Sequence, residues 1–254
     1  ALTPDELAGG VVASSAGNHA QGVALSAQKL GCRAVIVMPQ TTPDIKVRAV
    51  RAWGAEVVLH GDSYDDAYEE AMRIVRRRKR TFVHPYDDPD VIAGQGTIGM
   101  EILRQWQGPL DAIFVAIGGG GLISGIAVAA RALRPELEVF GVQSVRFPSM
   151  KQALAGEPIV CGDSSIAGGI AVKVPGALTL PIVREHVREI LLVDEEQIEA
   201  AILLLLEVEK TVAEGAGAAA LAAVHAHVAA RHMHVGAAAG REPGSRDFRA
   251  VKQA

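Results

Sequence analysis

Two cysteines, Cys32 and Cys161, are all that 254 residues contain, and neither has a second cysteine nearby. That excludes a disulfide framework and a paired-cysteine redox or metal site. Aromatic residues make up only 4%, so few rings are available to stack on bases, and a formal net charge of −4 gives no global attraction to polyanions. Nucleic acid is therefore not an expected partner. No uninterrupted apolar run reaches membrane-spanning length, so no membrane is expected either. The opening residues do not read as a secretory signal, and a soluble protein of the reducing cytoplasm is expected.

What is present is a hydrophobic fraction of 49% and 27 glycines. A chain of this length can bury one large core or two modest ones. One basic run, Arg76, Arg77, Arg78, Lys79 and Arg80, closes a segment that opens with Asp62, Asp65 and Asp66. Acid at the start and base at the end is the order a helix dipole favours, so a solvated helix end is expected there.

Short β-branched runs at 11–13, 34–38, 56–59, 81–83, 112–117, 138–142 and 189–193 predict strands. Helical spacing fills 18–30, 44–53, 63–80, 91–106, 122–133 and 195–210 between most of them. Strand and helix in alternation predict an α/β architecture, a mostly parallel sheet with helices on its faces. The densest group of chain breakers in the first half is Pro85, Asp87, Asp88 and Pro89. It divides the chain into a small lobe at 1–88 and a larger one at 89–254.

Two strand-to-helix turns are built from small residues. The first, SSAGNHAQG from Ser14, carries serines, an asparagine and a histidine but no acidic or basic charge at its head. Capping of the helix by Ser or Asn is one reading of it. The second, GGGGLISGIA from Gly118, puts four glycines between a strand and an apolar helix. Without Cβ atoms their N–H groups can approach an anion at the positive end of the helix, so a phosphate is the expected guest. Ile123 and Ser124 stand where a dinucleotide fingerprint needs glycine, and the stretch lacks the lysine of a nucleoside-triphosphate loop. A single terminal phosphate fits better than a nucleotide.

Together with HPYDDPDVIAGQGTIGMEIL from His84 and AEGAGAAAL from Ala213, these two turns closely resemble the threonine dehydratase family. These are pyridoxal-phosphate enzymes of the tryptophan-synthase-β-like fold, two lobes each with an open, mostly parallel sheet, and serine racemase is a relative. The resemblance covers about residues 1 to 230. It implies pyridoxal 5'-phosphate as cofactor and dehydration and deamination of L-threonine or L-serine to a 2-keto acid and ammonia. It also implies a small substrate lobe and a large cofactor lobe. Ser14, Ser15, Ala16, Gly17, Asn18 and His19 would receive the substrate. Gly118, Gly119, Gly120, Gly121 and Leu122 would cradle the cofactor phosphate, with Asn18 and Glu214 also on the cofactor. A homo-oligomer is expected by family analogy alone.

The sequence departs from that family where it matters most. The Schiff-base lysine of the family lies ahead of the serine–asparagine loop, but none of the seventeen residues before Asn18 is lysine. No catalytic residue is therefore assigned, and this chain alone is expected to be inactive. The far end, HMHVGAAAGREPGSRDFRAVKQA, lacks the family's Ser-Gly-Gly-Asn type turn, so a chain incomplete at both ends is expected. The alternative is a non-catalytic fragment or pseudoenzyme that binds a phosphate ligand or a partner chain. Gln143, Phe147 and Ser149 occupy the cation site of metal-dependent relatives, and no metal is expected. His225, His227, His232 and His234 are read as a solvated tail.

Overall fold

The computed structural model describes residues 2–237, with side chains described through residue 227. The chain divides into two compact units, residues 1–90 and 91–254. In the first, the order is α1 (Pro4–Gly9), β1 (Val11–Ser14), α2 (Asn18–Leu30), β2 (Ala34–Met38), α3 (Asp44–Ala52), β3 (Glu56–Leu59), α4 (Tyr64–Arg78) and β4 (Thr81–Phe82). The strands form one parallel sheet in the order β3-β2-β1-β4.

Alternation along these strands sends successive side chains to opposite faces. Val11, Ala13, Ile36 and Met38 pack with Ala20, Val23, Ala24 and Ala27 of α2 and with Val47 and Val50 of α3. On the other face Val12, Val35 and Val37 meet Ala67, Ala71 and Ile74 of α4. Both faces of β1 and β2 are thus covered, which is why these strands read as continuous apolar runs rather than alternating ones. Helix α2 stops at Gly31, which takes a left-handed φ of 66°.

Helix α4 ends at Arg78, two residues before the expected end, because Lys79 adopts a left-handed φ of 50°. Its first turn carries Asp65 and Asp66 and its last Arg76, Arg77 and Arg78, the dipole-matched order. Arg78 is not simply solvated, since its Nη1 donates to Glu56 Oε2 of β3 at 2.6 Å.

The second unit contains α5 (Pro89–Gln105, all but its first two residues), β5 (Ala112–Ala116), α6 (Gly121–Leu133), β6 (Glu138–Ser144), α7 (Ser149–Ala155), a 3-10 turn at Gly168–Ile170, α8 (Thr179–His186), β7 (Glu189–Val193), α9 (Glu195–Glu207) and α10 (Gly215–Ala237). Its parallel sheet runs β5-β6-β7. Ile113, Val115, Ile117 and Val139 pack with Ile123, Ile126 and Ala130 of α6 and Val183 of α8. Phe114, Phe140 and Val142 face Ile198 and Ala201 of α9 and a row of alanines on α10.

Helix α6 sits unusually close to α5. A Cβ placed on Gly125 would come 2.3 Å from Ile92 O and 2.5 Å from Gly96 N, so only glycine lets the two backbones touch. No helix among the described residues is long and apolar enough to cross a membrane. His227 departs from the solvated tail expected of it: its ring lies 6.3 and 6.4 Å from the stacked rings of Phe114 and Phe140. The side chains of His232 and His234, and the final stretch from residue 238, lie outside the described residues.

Candidate active site

In the second unit, β5 leads directly into the glycine turn. Ile117 N–H still donates to Val142 O of β6, at 2.8 Å, and then the chain leaves the sheet. Gly120 caps α6 with φ +100°, a region an L side chain rarely adopts. A Cβ there would also lie 2.6 Å from Thr179 Oγ1 and 2.7 Å from Met150 Cε. On Gly118 it would lie 3.0 Å from Val172 Cγ2 and 3.3 Å from Ile170 Cα. The turn is therefore packed from behind, and glycine is demanded by geometry rather than tolerated.

Its polar groups split into two sets. The Gly119 carbonyl accepts from Thr179 Oγ1 at 2.6 Å and from Gly176 N–H at 3.1 Å. The N–H groups of Gly119, Gly120, Gly121 and Leu122 donate to nothing among the described residues. These are the unpaired donors that open any helix, here unaccompanied by a carboxylate in the loop. Ser124, one turn on, is fully buried, and its Oγ finds no partner among the described residues. Leu122 is half-buried beside it. Such an array suits a dianion.

Glu214 reaches the same end of the sheet. A Cβ on Gly169 would lie 3.5 Å from Glu214 Oε1, and one on Gly118 would lie 3.5 Å from Gly169 O. Gly215, which opens α10, passes so close to the chain at 166–167 that a Cβ would meet Ile166 O at 2.5 Å.

In the first unit, β1 ends at Ser14, which is fully buried with an Oγ that finds no partner among the described residues. Ser15 N–H donates to Val37 O at 3.2 Å, and Ser15 Oγ accepts Gly17 N–H at 3.1 Å. Gly17, rather than a serine or the asparagine, is the N-cap of α2 and brings no side-chain cap. The N–H groups of Ala16 and His19 donate to nothing among the described residues, while the Asn18 side chain is exposed at the first helical position.

His19 Nε2 lies 3.1 Å from Val83 O, and because a carbonyl only accepts, Nε2 carries the proton. Burial pushes its pKa down, the Val83 carbonyl opposes that, and nearby His84 lowers it further, leaving a net decrease. Its surroundings therefore favour the neutral imidazole. His84 is itself fixed, its Nδ1 accepting Tyr86 N–H at 3.3 Å and Asp87 N–H at 2.8 Å.

Of the residues weighed as a cation site, Gln143 and Ser149 each make a local hydrogen bond, while the buried Gln143 Nε2 finds no partner among the described residues. Gln143 Oε1 accepts Lys151 N–H at 3.0 Å, and Ser149 Oγ donates to Val172 O at 2.7 Å. Lys151 Nζ donates to Ile190 O at 2.8 Å. Sequence reasoning missed Thr179, Met150, Gly169 and Val172, which stand behind the glycine turn. Nothing local marks them, because the fold brings them there from about 30 to 60 residues away.

A family model for pyridoxal-phosphate dependent enzymes matches residues 2–238. The chain belongs to that family. It is 51% identical, over 88% of its length and 56% of the relative's, to an L-threonine ammonia-lyase of Thermotoga maritima. Identity is 47% to the catabolic L-threonine dehydratase TdcB of Escherichia coli, over 88% of this chain and 68% of that one. Of solved structures, the processed threonine deaminase isoform 2 of Solanum lycopersicum superposes with a TM-score of 0.86 at 39% identity, covering 91% of this chain and 64% of that one.

The chain spans about half the length of the curated relatives it matches. The fold is the tryptophan-synthase-β-like α/β fold, and pyridoxal 5'-phosphate is the family's cofactor. The glycine turn fits that group: N–H donors at a helix start that are unpaired among the described residues, a buried hydroxyl at Ser124, and a glycine at 120 that lets the turn close on Thr179 and Met150 behind it.

Proposed function

We propose that the protein carrying these residues uses pyridoxal 5'-phosphate to eliminate water from L-threonine or L-serine and then, as a water adds back, to release ammonia, yielding a 2-keto acid. The glycine turn at the start of α6, with donors unpaired and its back sealed by Thr179 and Met150, is the observation that carries the reading. Its likeness to threonine ammonia-lyases supports the choice of substrate.

In this reading Gly118, Gly119, Gly120, Gly121 and Leu122 hold the cofactor phosphate with main-chain donors. Glu214 stands beside the cofactor. Ser14, Ser15, Ala16, Gly17, Asn18 and His19 receive the substrate carboxylate, and Asn18 is assigned to the cofactor as well. A neutral loop is suited to that task, because main-chain donors at a helix N-terminus bind an anion without a buried cation to balance. The cofactor supplies the electron sink for the pair left when Cα loses its proton. Residues 1–88 form the substrate lobe and 89–254 the cofactor lobe. A cytoplasmic setting and self-association belong to the same reading through family likeness.

Moving the Cα proton requires a lysine, which the resemblance puts ahead of the Ser14–His19 loop, and none of residues 1–17 is one. We therefore propose that the 254-residue chain binds the cofactor phosphate but does not turn over alone. The test mixes the chain with pyridoxal phosphate, reduces with borohydride, and reads intact mass alongside keto-acid release from threonine and serine. No stoichiometric adduct and no keto acid are expected from the chain, and keto-acid release is expected from the complete gene product. A full adduct on one lysine with turnover would overturn the first expectation. A complete gene product that binds the cofactor yet releases no keto acid would sink the second, in favour of a pseudoenzyme.

A further inference from the structure

Resting on the phosphate reading of the glycine turn, we propose that Thr179 is a positioning residue that aims the Gly120 N–H at the bound phosphate by holding the Gly119 carbonyl from behind. Thr179 is fully buried at the start of α8, 60 positions along the chain from Gly119. Its hydroxyl has one proton and two carbonyls in range, Gly119 O at 2.6 Å and Gly176 O at 3.3 Å, so the shorter contact takes it. Gly176 N–H donates to the same Gly119 oxygen at 3.1 Å. Two donors from one segment therefore fix one carbonyl.

What they fix is a whole peptide plane. No cis peptide occurs among the described residues, so the N–H of Gly120 points opposite to the Gly119 carbonyl. Pinning the oxygen toward Thr179 turns that N–H away from Thr179, to the open side of the turn. It joins the N–H groups of Gly119, Gly121 and Leu122, which also donate to nothing among the described residues. Glycine at φ +100° is conformationally permissive, and a free glycine peptide rotates between alternatives at little steric expense. The threonine supplies the restraint that glycine lacks. Packing alone would accept valine at this buried position. The hydroxyl matters because it has a partner, and preorganised donors bind an anion better than donors that must first be ordered.

The test compares wild type, Thr179→Val and Thr179→Ser, each titrated with pyridoxal 5'-phosphate and with phosphate-free pyridoxal. Valine is expected to weaken binding of the phosphorylated ligand about tenfold, on the scale of a hydrogen bond to a charged group, and to leave pyridoxal unchanged. Serine keeps the donor and is expected within about twofold of wild type. General damage to the fold would weaken both ligands together. Thr179→Val binding both ligands as wild type does would overturn the proposal while leaving the functional reading standing. Wild type that fails to prefer the phosphorylated ligand would overturn the functional reading, and this proposal with it. Should the valine variant not fold, glycine-selective 15N labelling of wild type decides. The Gly120 amide is expected to move downfield when pyridoxal phosphate is added, and an unmoved Gly120 amide defeats the proposal.

Discussion

Glycines in the two turns serve different ends, and single substitutions separate them. Gly17 has φ −121° and nothing within 4 Å of a Cβ placed on it. Gly120 has φ +100° and would press a Cβ against Thr179 and Met150. Gly120→Ala therefore combines backbone strain of about 1–3 kcal/mol with overpacking of similar size. The denaturation midpoint should fall accordingly and phosphate binding should be lost. Gly17→Ala should stay within about 0.5 kcal/mol of wild type in the same urea titration. Equal losses for the two variants would mean that the close packing behind Gly120 is not what requires glycine. Ser14 and Ser124 share another trait: both hydroxyls are fully buried without partners among the described residues, a costly state unless something arrives to use them.

At the scale of elements, α9 shows how a helix start is tied to the chain behind the site. Asp194 caps it in a reciprocal box with Gln197, accepting Gln197 N–H at 2.8 Å while Gln197 Oε1 accepts Asp194 N–H at 2.9 Å. Removing that cap with Asp194→Ala should cost about 1 kcal/mol in urea unfolding. The next residue, Glu195, accepts Ile166 N–H at 2.7 Å, Ser165 Oγ at 2.8 Å and Ser144 Oγ at 3.2 Å. It latches the chain at 165–166, which leads into the Gly168–Ile170 turn behind Gly118.

Burial raises the Glu195 pKa, but the three hydrogen bonds and Arg146 lower it more, for a net decrease. A depressed folded value means that the unfolded chain binds the proton more readily. The contribution to stability is therefore complete above the ordinary glutamate range and is lost as pH falls through the lower folded value. Unfolding free energy should drop as pH goes from about 5 toward 3, and Glu195→Gln should flatten part of that slope. Glu6, Glu56 and Asp66 are lowered too and will leave a residue of it.

The same scale shows what could be read ahead of the structure. Strands at 34–38, 56–59 and 189–193 fall where expected because β-branched runs there are bounded by Gly, Pro or Asp. Helix α1 lies outside the expected elements although its signal is local: Thr3 and Glu6 form the reciprocal capping box whose Thr-x-x-Glu spacing stands in the sequence. Helices α7 and α8 are short and uncapped by side chains, which leaves little local signal beyond Pro148 and the left-handed Gly156 that bracket α7. Each unit's candidate turn was legible from composition. The buttress of the glycine turn was not, because Thr179 meets Gly119 only through the fold.

Over the molecule as a whole, each unit carries its own parallel sheet buried between its own helix layers, and each holds one of the two tryptophans. Trp53 follows α3 in the first unit. Trp106 follows α5 in the second, where its Nε1 donates to Pro109 O at 3.0 Å. Both rings are partly exposed, at 37% and 41%, so their emission will change on unfolding. Trp53→Phe leaves a reporter for residues 91–254, and Trp106→Phe leaves one for residues 1–90. A ligand that binds only the folded form stabilises it by RT ln(1 + [L]/Kd), about 1.4 kcal/mol at ten times Kd. On the proposed phosphate reading of the unpaired donors at the start of α6, inorganic phosphate should raise the urea midpoint seen by Trp106 more than that seen by Trp53. Chloride at matched ionic strength should move neither. An equal or larger rise at Trp53 would place the principal phosphate site in residues 1–90, at the turn that follows β1, and would leave the glycine turn without its guest.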